Sequence, residues 1–462
     1  MINLKNISDP NIKDKFVSII GLGRSGLESA KLANYLGARV FGSDSSEESF
    51  VNKNAMELMN EDHIASETGV QTDRIYEADL WIVSPGISKY SKIILEAQKR
   101  GIAIVSELEF ASWYTESPII GITGSNGKTT TCLIALEMCK TQYKNSVVAG
   151  NIGIPLSKYV LEELKAPILK RIFITEVSSF QLEFIKHFKP NFAIYTNISP
   201  DHLDRHSNME EYVSMKLRMV KNFDSSDSVI YNSDDPILSS QFKNKTYNKI
   251  PFNLENSKTL FNIQNNQMFY KDTDKIIDLK NSNLRGDHNK LNILSAATCA
   301  SLLGISNKNI KTAIENFNCV EHRQEIFKIT NKIEYINDSK STNINSVIVA
   351  IKTFKKPLIL LLGGYNKGSN FRLLLPHIGL SSIKNIICYG DAGQLIKTAI
   401  GDAVRSFFKK DLNSAVLKAH KLAIPGDIII LSPGCSSFDQ FKNFEERGKY
   451  FKSIVKKLTE ND

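Results

Sequence analysis

The ten residues Gly121-Ile122-Thr123-Gly124-Ser125-Asn126-Gly127-Lys128-Thr129-Thr130 constrain this chain more than any other stretch. The apolar run Pro118-Ile119-Ile120 leads into them, and a helix-compatible run from Cys132 to Met138 follows. Strand, glycine-rich turn and helix, with Lys-Thr closing the turn, are the parts of a phosphate cradle. Backbone N–H groups wrap the anion and the helix N-terminus faces it; Lys128 reaches for terminal phosphates and the Thr129 hydroxyl can ligate Mg²⁺. The usual P-loop has glycine five residues before Gly127, where this chain has Ile122. A chance Gly-Lys-Thr in a turn is therefore the alternative, and the other motifs must decide.

At 462 residues, the chain has room for about three domains. No apolar stretch reaches the roughly 20 residues that span a bilayer, and Met1-Ile2-Asn3-Leu4-Lys5-Asn6 lacks a signal-type apolar core. A cytoplasmic location without a membrane partner is expected. The net charge of +9 would suit nucleic acid or anionic small substrates equally. No block of five basic residues occurs and the lysines are spread among asparagines, so a nucleic-acid partner is not expected. Cysteines 132, 139, 299, 319, 388 and 435 form no C-x-x-C and sit mostly among apolar neighbours, which reads as buried free thiols.

Three regions emerge. In the first, Phe16–Ile20 precedes Gly21-Leu22-Gly23-Arg24-Ser25-Gly26, then a helical pattern, then the strand from Arg39 into Asp44, 18 positions beyond the third glycine. This matches a dinucleotide fingerprint in a βαβ start; strands at 80–83, closed by Ser84-Pro85-Gly86, and at 102–105 complete a doubly wound sheet. The second region opens at the cradle, with strands at 147–149, 171–175, 192–195 and 228–231. A polar stretch from about 240 to 285 suggests a small meander, and a helix from 289 to 303 follows. The third region has strands at 333–336, 357–362, 385–389 and 427–431, another α/β sheet. The expected domains are 1–106, 107–320 and 321–462, good to about ten residues.

Polar residues gather just past strand ends, where open α/β sheets place their sites. Glu176 ends one strand; Asn197 ends the next and leads into Pro200-Asp201-His202-Leu203-Asp204-Arg205-His206. A carboxylate and an imidazole beside the cradle suit Mg²⁺ or an acceptor carboxylate. Equally, Glu176 could cap a helix while His202 pairs with Asp201 or Asp204. Lys216, in the helix-compatible stretch 210–220, reads from its neighbours as a solvated surface lysine. In the third region Asn337–Asn343, Gly363–Gly368 and Ser432–Ser437 each follow a strand and imply one mouth, whose lysines and hydroxyls suit an anionic small molecule, with ordinary turns as the alternative.

Together these residues resemble the Mur ligase family over essentially the whole chain. The resemblance is carried by Gly124–Thr130, Gly150-Asn151-Ile152-Gly153, Glu176–Leu182, Asp201–Arg205, His322-Arg323, Asn337–Asn343 and Ser437–Gly448. Ser178-Ser179-Phe180-Gln181-Leu182 and Phe441–Gly448 are similar to the D-glutamate-adding member. The Asp-Asn-Pro-Arg element of the member that adds diaminopimelate or lysine is absent.

The resemblance implies an α/β fold of three domains: an N-terminal Rossmann-like UDP-binding domain, a central P-loop-type ATPase domain and a C-terminal Rossmann-like α/β domain. It implies an ATP-dependent ligase that adds D-glutamate to UDP-N-acetylmuramoyl-L-alanine through an acyl phosphate, in peptidoglycan precursor synthesis, acting as a monomer on these two small-molecule substrates. Gly124, Ser125, Asn126, Gly127, Lys128, Thr129, Thr130, Asn289, Asn292, Arg323 and Asp338 would form the ATP site. Two Mg²⁺ ions would be held by Thr129, Glu176, His202 and a carbamate on Lys216, and Lys128, Glu176, His202 and Lys216 would be catalytic. Ser25, Asp44, Ser45, Gly86 and Asn151 would bind the UDP substrate, and Lys340, Thr342, Lys367, Ser437 and Phe444 would receive D-glutamate. The first region's fingerprint would then serve UDP and not a nicotinamide cofactor. Other readings are a folylpolyglutamate synthase, a nicotinamide-dependent oxidoreductase and a regulatory nucleotide-binding module. The chain departs from the family pattern at Asn366 and Asn370, where aspartate is frequent, and at Gln324, where an apolar residue is expected.

Overall fold

A computed structural model describes residues 10–460 apart from 169, 203–204, 255–258, 272, 283, 318–320 and 380. Leu203, Asp204 and Cys319 are thus outside the described residues. The chain divides into two compact units, Met1–Lys280 with Leu291–Glu315, and Asn281–Lys290 with Asn316–Asp462.

The first unit holds two parallel sheets. The five-stranded one runs Ala65–Thr68, Arg39–Asp44, Phe16–Ile20, Leu80–Val83, Ala103–Ser106. Phe16–Ile20 pairs with both Arg39–Asp44 and Leu80–Val83. The strand order reverses there, so a crevice opens past Ile20 and Val83, between the Gly21–Gly26 turn and Ser84-Pro85-Gly86. Only glycine fits at 26, since a Cβ would stand 1.9 Å from the Gly21 carbonyl oxygen.

The six-stranded sheet runs Asn248–Phe252, Ser228–Asn232, Phe192–Tyr195, Ile119–Thr123, Phe173–Glu176, Val147–Gly150. Ile119–Thr123 is central and wholly buried, so its following loop lies between the ends of its neighbours at Glu176 and Tyr195. The expected meander is present as Phe261–Gln264, Gln267–Tyr270 and Asp274–Asp278. Asn248–Phe252, within the same polar stretch, instead extends the parallel sheet as an edge strand; there Pro251 costs no interior ladder bond.

The helix Glu107–Ser112 joins the two sheets, and both of its leading carboxylates are buried. Glu107 accepts from the backbone N–H (2.7 Å) and Oγ (2.8 Å) of Ser157. It thereby caps the helix Leu156–Lys165, whose own N-cap position, Pro155, supplies no side-chain bond. Glu109 accepts from the backbone N–H groups of Lys186 (2.9 Å), His187 (2.7 Å) and Phe188 (2.7 Å), and from Trp113 Nε1 (2.9 Å).

In the second unit the sheet runs Glu325–Thr330, Ile333–Asn337, Ile428–Gly434, Leu358–Gly363, Ile383–Tyr389, Ser406–Lys409. The first pair is antiparallel and the rest parallel. Successive residues feed opposite cores: Leu358, Leu360 and Leu362 one face, Ile359 and Leu361 the other. The strand ends at Asn337, Gly434, Gly363 and Tyr389 share one edge.

Glu109→Ala leaves three backbone donors of the 186–188 turn without their acceptor in a buried place. The expected loss is about 3 kcal/mol, read by urea denaturation in the transition that the substitution moves; Glu109→Gln, which keeps an acceptor, loses less.

Candidate functional site

The loop after Ile119–Thr123 is built by its glycines. Gly124 has φ +152° and Gly127 φ +83°, and a Cβ would lie 2.0 Å from Thr196 Oγ1 at the first and 2.5 Å from Asn292 Oδ1 at the second. Asn126 is clamped from the neighbouring strand end: its N–H donates to Asn197 Oδ1 (2.9 Å), while Asn197 Nδ2 (3.0 Å) and Thr196 Oγ1 (2.6 Å) donate to its carbonyl. Ser125 Oγ donates to Ser199 O (2.8 Å) and lies 3.0 Å from the Tyr212 hydroxyl. The helix Lys128–Lys140 begins immediately after Gly127, which gives the loop a helix N-terminus.

Two lysines converge on this loop. Lys128 Nζ donates to the carbonyls of Gly124 (2.8 Å) and Ser125 (2.9 Å), and Lys216 Nζ donates to Gly124 O (2.9 Å). Lys216 is no surface lysine, as its neighbours suggested: it is 1% exposed, with Nζ 4.7 Å from the Tyr212 ring centroid. The helix Met209–Leu217 buries Tyr212, Val213 and Lys216, one face, toward the loop. Burial pushes the Lys216 ammonium well below its usual pKa, the Lys128 charge adds to that, and Asp201 and Glu176 oppose it. Such burial favours the neutral amine over the ammonium.

Glu176 is buried at the end of its strand. Its Oε2 accepts from Thr129 Oγ1 (2.7 Å) and its Oε1 from Asn151 Nδ2 (2.8 Å). Thr129 and Glu176 offer hard oxygen donors side by side, which fits Mg²⁺. His202 stands on the next turn with φ +53°. Its side chain is 47% exposed, Nε2 is 3.7 Å from Asp201 Oδ2, and its ring meets Phe180 edge-on at 4.9 Å. The alternative partner Asp204 is outside the described residues. Asn292 Oδ1 accepts from Thr131 Oγ1 (3.2 Å).

At the first sheet's crevice, Asp44 Oδ2 accepts from the Leu22 N–H (2.7 Å) and Oδ1 from the Ser46 N–H (2.9 Å). Ser84 Oγ donates to Gly21 O (2.8 Å) and lies 3.2 Å from Ser25 Oγ. Ser45 is exposed beside them, and the Gly86 carbonyl is held by Arg205 Nη1 (3.0 Å). Ser84, Tyr212 and Arg205 were not among the expected site residues, although Ser84 closes a strand and Arg205 ends the Asp201–Arg205 motif; each follows a strand end or faces the loop, which is the signal that would have found them.

In the second unit, Arg447 is fully buried and donates to Ser339 O (2.8 Å), Ser339 Oγ (3.0 Å), Cys435 O (3.0 Å) and Ser436 O (3.1 Å). Tyr365 and Ser436 exchange backbone bonds of 2.9 and 3.1 Å. These bonds unite the three polar loops. Lys340 Nζ lies 5.1 Å from the Phe444 ring centroid and Lys367 Nζ 5.3 Å from that of Phe438. Thr342 and Lys367 are exposed and Ser437 is buried. Asn366 Oδ1 accepts from the Ser369 N–H (2.8 Å) and Asn370 Oδ1 from the Arg372 N–H (3.1 Å), so both amides shape turns. Asn289 Nδ2 donates to Arg285 O (2.8 Å). Asp338 is buried; it accepts from Ser341 Oγ (2.6 Å), Ser432 Oγ (2.7 Å) and the Gln324 N–H (3.2 Å). Burial raises its pKa to about 6, against those bonds and the Arg323 charge. Among the described residues, Glu321, His322 and Glu325 also form a metal-like trio, but Lys452 Nζ already bonds Glu321 (3.0 Å) and Glu325 (2.6 Å).

Comparison with known proteins matches residues 15–106 to the N-terminal domain of MurD-like Mur ligases, 122–300 to the Mur ligase middle domain and 322–435 to the Mur ligase glutamate ligase domain. The chain is 37% identical to a UDP-N-acetylmuramoylalanine--D-glutamate ligase of Christiangramia forsetii, over 96% of this chain and all of that one. It belongs to the Mur ligase family. A ligase of the same name from Thermoanaerobacter pseudethanolicus is 36% identical over 97% of this chain and 99% of its own. Among solved structures, a pseudomurein peptide ligase type C from Methanothermus fervidus has the same fold (TM-score 0.61, 20% identity, 96% of this chain and 100% of that one).

The expected α/β Mur ligase architecture of N-terminal, middle and C-terminal domains is therefore present. The glycine fingerprint at 21–26 falls inside the first domain of a Mur ligase. No described helix is long and apolar enough to cross a membrane.

For Asp338 the folded pKa, about 6, lies above its ordinary 3.8. The stabilisation tied to its protonated form is complete below about pH 4 and is lost as pH rises through 6. The unfolding free energy of Asp338→Asn relative to wild type should therefore shift in the variant's favour by on the order of 2 kcal/mol between about pH 4 and pH 7, read by denaturant titration across that range.

Proposed function

We propose that this chain is an ATP-dependent, ADP-forming ligase that joins D-glutamate to UDP-N-acetylmuramoyl-L-alanine in peptidoglycan precursor synthesis, working as a monomer in the cytoplasm. The observation that carries the reading is identity of 36–37% with ligases of this name over 96–97% of this chain. It is supported by a glycine loop on which Lys128, Lys216 and the Thr129–Glu176 pair converge.

In this reading ATP lies along Gly124–Thr130, with Asn289, Asn292, Arg323 and Asp338 contributing. Lys128 holds the β/γ-phosphates. The alanyl carboxylate attacks the γ-phosphoryl group in line, ADP leaves, and an acyl phosphate results. The D-glutamate amine, received by Lys340, Thr342, Lys367, Ser437 and Phe444, attacks that carbonyl; the tetrahedral adduct loses a proton from nitrogen, expels phosphate, and the amide forms. Most of the acceleration comes from positioning and charge neutralisation. Thr129, Glu176 and His202 would hold Mg²⁺, which supplies neutralisation of phosphate charge. The Lys216 amine, whose charged form is disfavoured by burial, would add to CO₂: an N–C bond would form, a proton would leave, and the carbamate would offer anionic oxygens as metal ligands. Ser25, Asp44, Ser45, Gly86 and Asn151 would take the UDP and muramoyl parts.

Phosphate release from ATP with UDP-N-acetylmuramoyl-L-alanine should appear with D-glutamate and not with L-glutamate, meso-diaminopimelate or no amino acid. Release with another amino acid would reassign the substrate. Lys216→Ala should lose at least about a hundredfold in kcat, the range of a lost catalytic or metal-binding group, and regain part of it with added acetate. A carbamate carbon signal from ¹³C-bicarbonate should appear in wild type and vanish in the variant; a signal unchanged by the substitution removes the carbamate.

A further inference from the structure

The first sheet's crevice and the His202 turn are joined by one partly buried clasp. Arg205 Nη1 donates to Gly86 O (3.0 Å), and Nη2 donates to Ile87 O (2.8 Å) and Glu183 Oε2 (3.0 Å). Glu183 in turn accepts from the Lys89 N–H (3.3 Å), and its side chain is 2% exposed. The Arg205 guanidinium lies 4.6 Å from the centroid of the Phe180 ring, which also meets His202 edge-on and stacks on His206 at 5.6 Å. The Arg205 N–H closes onto His202 O (3.1 Å). A second carboxylate repeats the tie: Glu211 Oε1 bonds Lys89 Nζ (2.6 Å) and the Tyr90 hydroxyl (2.7 Å), while its Oε2 accepts from the Ser207 N–H (2.7 Å). Together, two acids and one arginine fix the loop after Ser84-Pro85, at Gly86, Ile87, Lys89 and Tyr90, to the turn that carries His202.

We propose that Arg205 is a positioning residue that sets the Gly86 loop and the His202 turn in a single register, so that binding of the UDP end of the substrate and placement of its acceptor end are coupled through this side chain. The proposal rests on the reading of Gly86 as a UDP-substrate residue and His202 as a metal residue. A planar guanidinium suits this role because it grips two consecutive carbonyls and a carboxylate while lying on an aromatic face, which an ammonium cannot do at once. Because both carbonyls belong to the backbone, the grip fixes the path of the loop whatever its side chains do. A substrate that presses on the Gly86 loop therefore meets a loop whose position is already tied to Phe180 and His202.

The test uses the full chain and its Arg205→Gln, Arg205→Lys and Glu183→Gln variants, with Tyr35→Phe as control. Tyr35 also spans the two sheets, through its hydroxyl to Leu164 O (3.2 Å), but lies away from both sites. Measured are UDP affinity by calorimetry, KM for each substrate, kcat and melting temperature. Arg205→Gln should weaken UDP and raise KM for the UDP substrate about tenfold and lower kcat at least as much, while KM for ATP stays within about twofold. Glu183→Gln, which keeps an acceptor but loses the charge, should show a smaller loss of the same kind. Arg205→Lys, which keeps a donor for one carbonyl and for Glu183, should recover part of both, and Tyr35→Phe should match wild type. A folded Arg205→Gln with wild-type UDP affinity and kcat overturns the clasp alone. So does an equal loss toward all three substrates, which is the mark of a merely structural arginine, or an Arg205→Lys no better than the glutamine. A wild-type enzyme that binds no UDP overturns the reading of the first crevice, and the clasp with it.

Discussion

One carbonyl oxygen, that of Gly124, accepts from two lysine side chains. Two ammonium groups a few ångströms apart repel strongly where water is scarce, and the fully buried partner, Lys216, is the one whose charged form is penalised. The arrangement needs a backbone that turns its carbonyl toward both lysines, which glycine at φ +152° permits and which the Thr196 side chain, filling the space a Cβ would take, holds in place. The cradle and the buried Lys216 amine therefore share one turn.

The central strands were legible in sequence because they are continuous apolar runs buried on both faces. The strands that sequence missed, Ala65–Thr68, Asn248–Phe252, Glu325–Thr330 and Ser406–Lys409, are all at sheet edges. An edge strand is paired on one side and half solvated, so its residues carry neither a clean apolar run nor strict alternation. Glu176 was legible through the rule that sites lie past the ends of parallel strands, and Asn151 only through the family resemblance. The bond between them was not, because it joins side chains on two different strand ends. Lys216 was misread for a related reason: Glu210 and Glu211 open its helix, and local composition reports solvent unless the neighbouring loop is known to lie on that face.

The acidic residues at the junction of the first unit were hidden in a different way. Glu107, Glu109 and Glu183 sit in apolar surroundings of the sequence, where a carboxylate reads as a surface exception. In the fold all three are buried and accept backbone N–H groups from a segment distant in sequence. A buried carboxylate survives only when its lone pairs are satisfied, and backbone donors in turns and at a helix start are the available partners. Sequence cannot pair them, since the partner is a backbone position and carries no residue signature.

The two sheets share an apolar core that runs from Leu32 and Ala33 to Leu156 and Val160. Packing of that kind is tolerant of small slides, because side chains can repack at nearly equal area. A carboxylate that accepts three consecutive N–H groups, as Glu109 does, has no equivalent position a short slide away. The same holds for a guanidinium on two consecutive carbonyls. A molecule recognised at one end by the first sheet and transformed at the other by the second requires the distance between the crevices to be fixed, and directional bonds fix it where apolar area cannot. The charged groups at the junction thus supply register, and the hydrophobic core supplies cohesion.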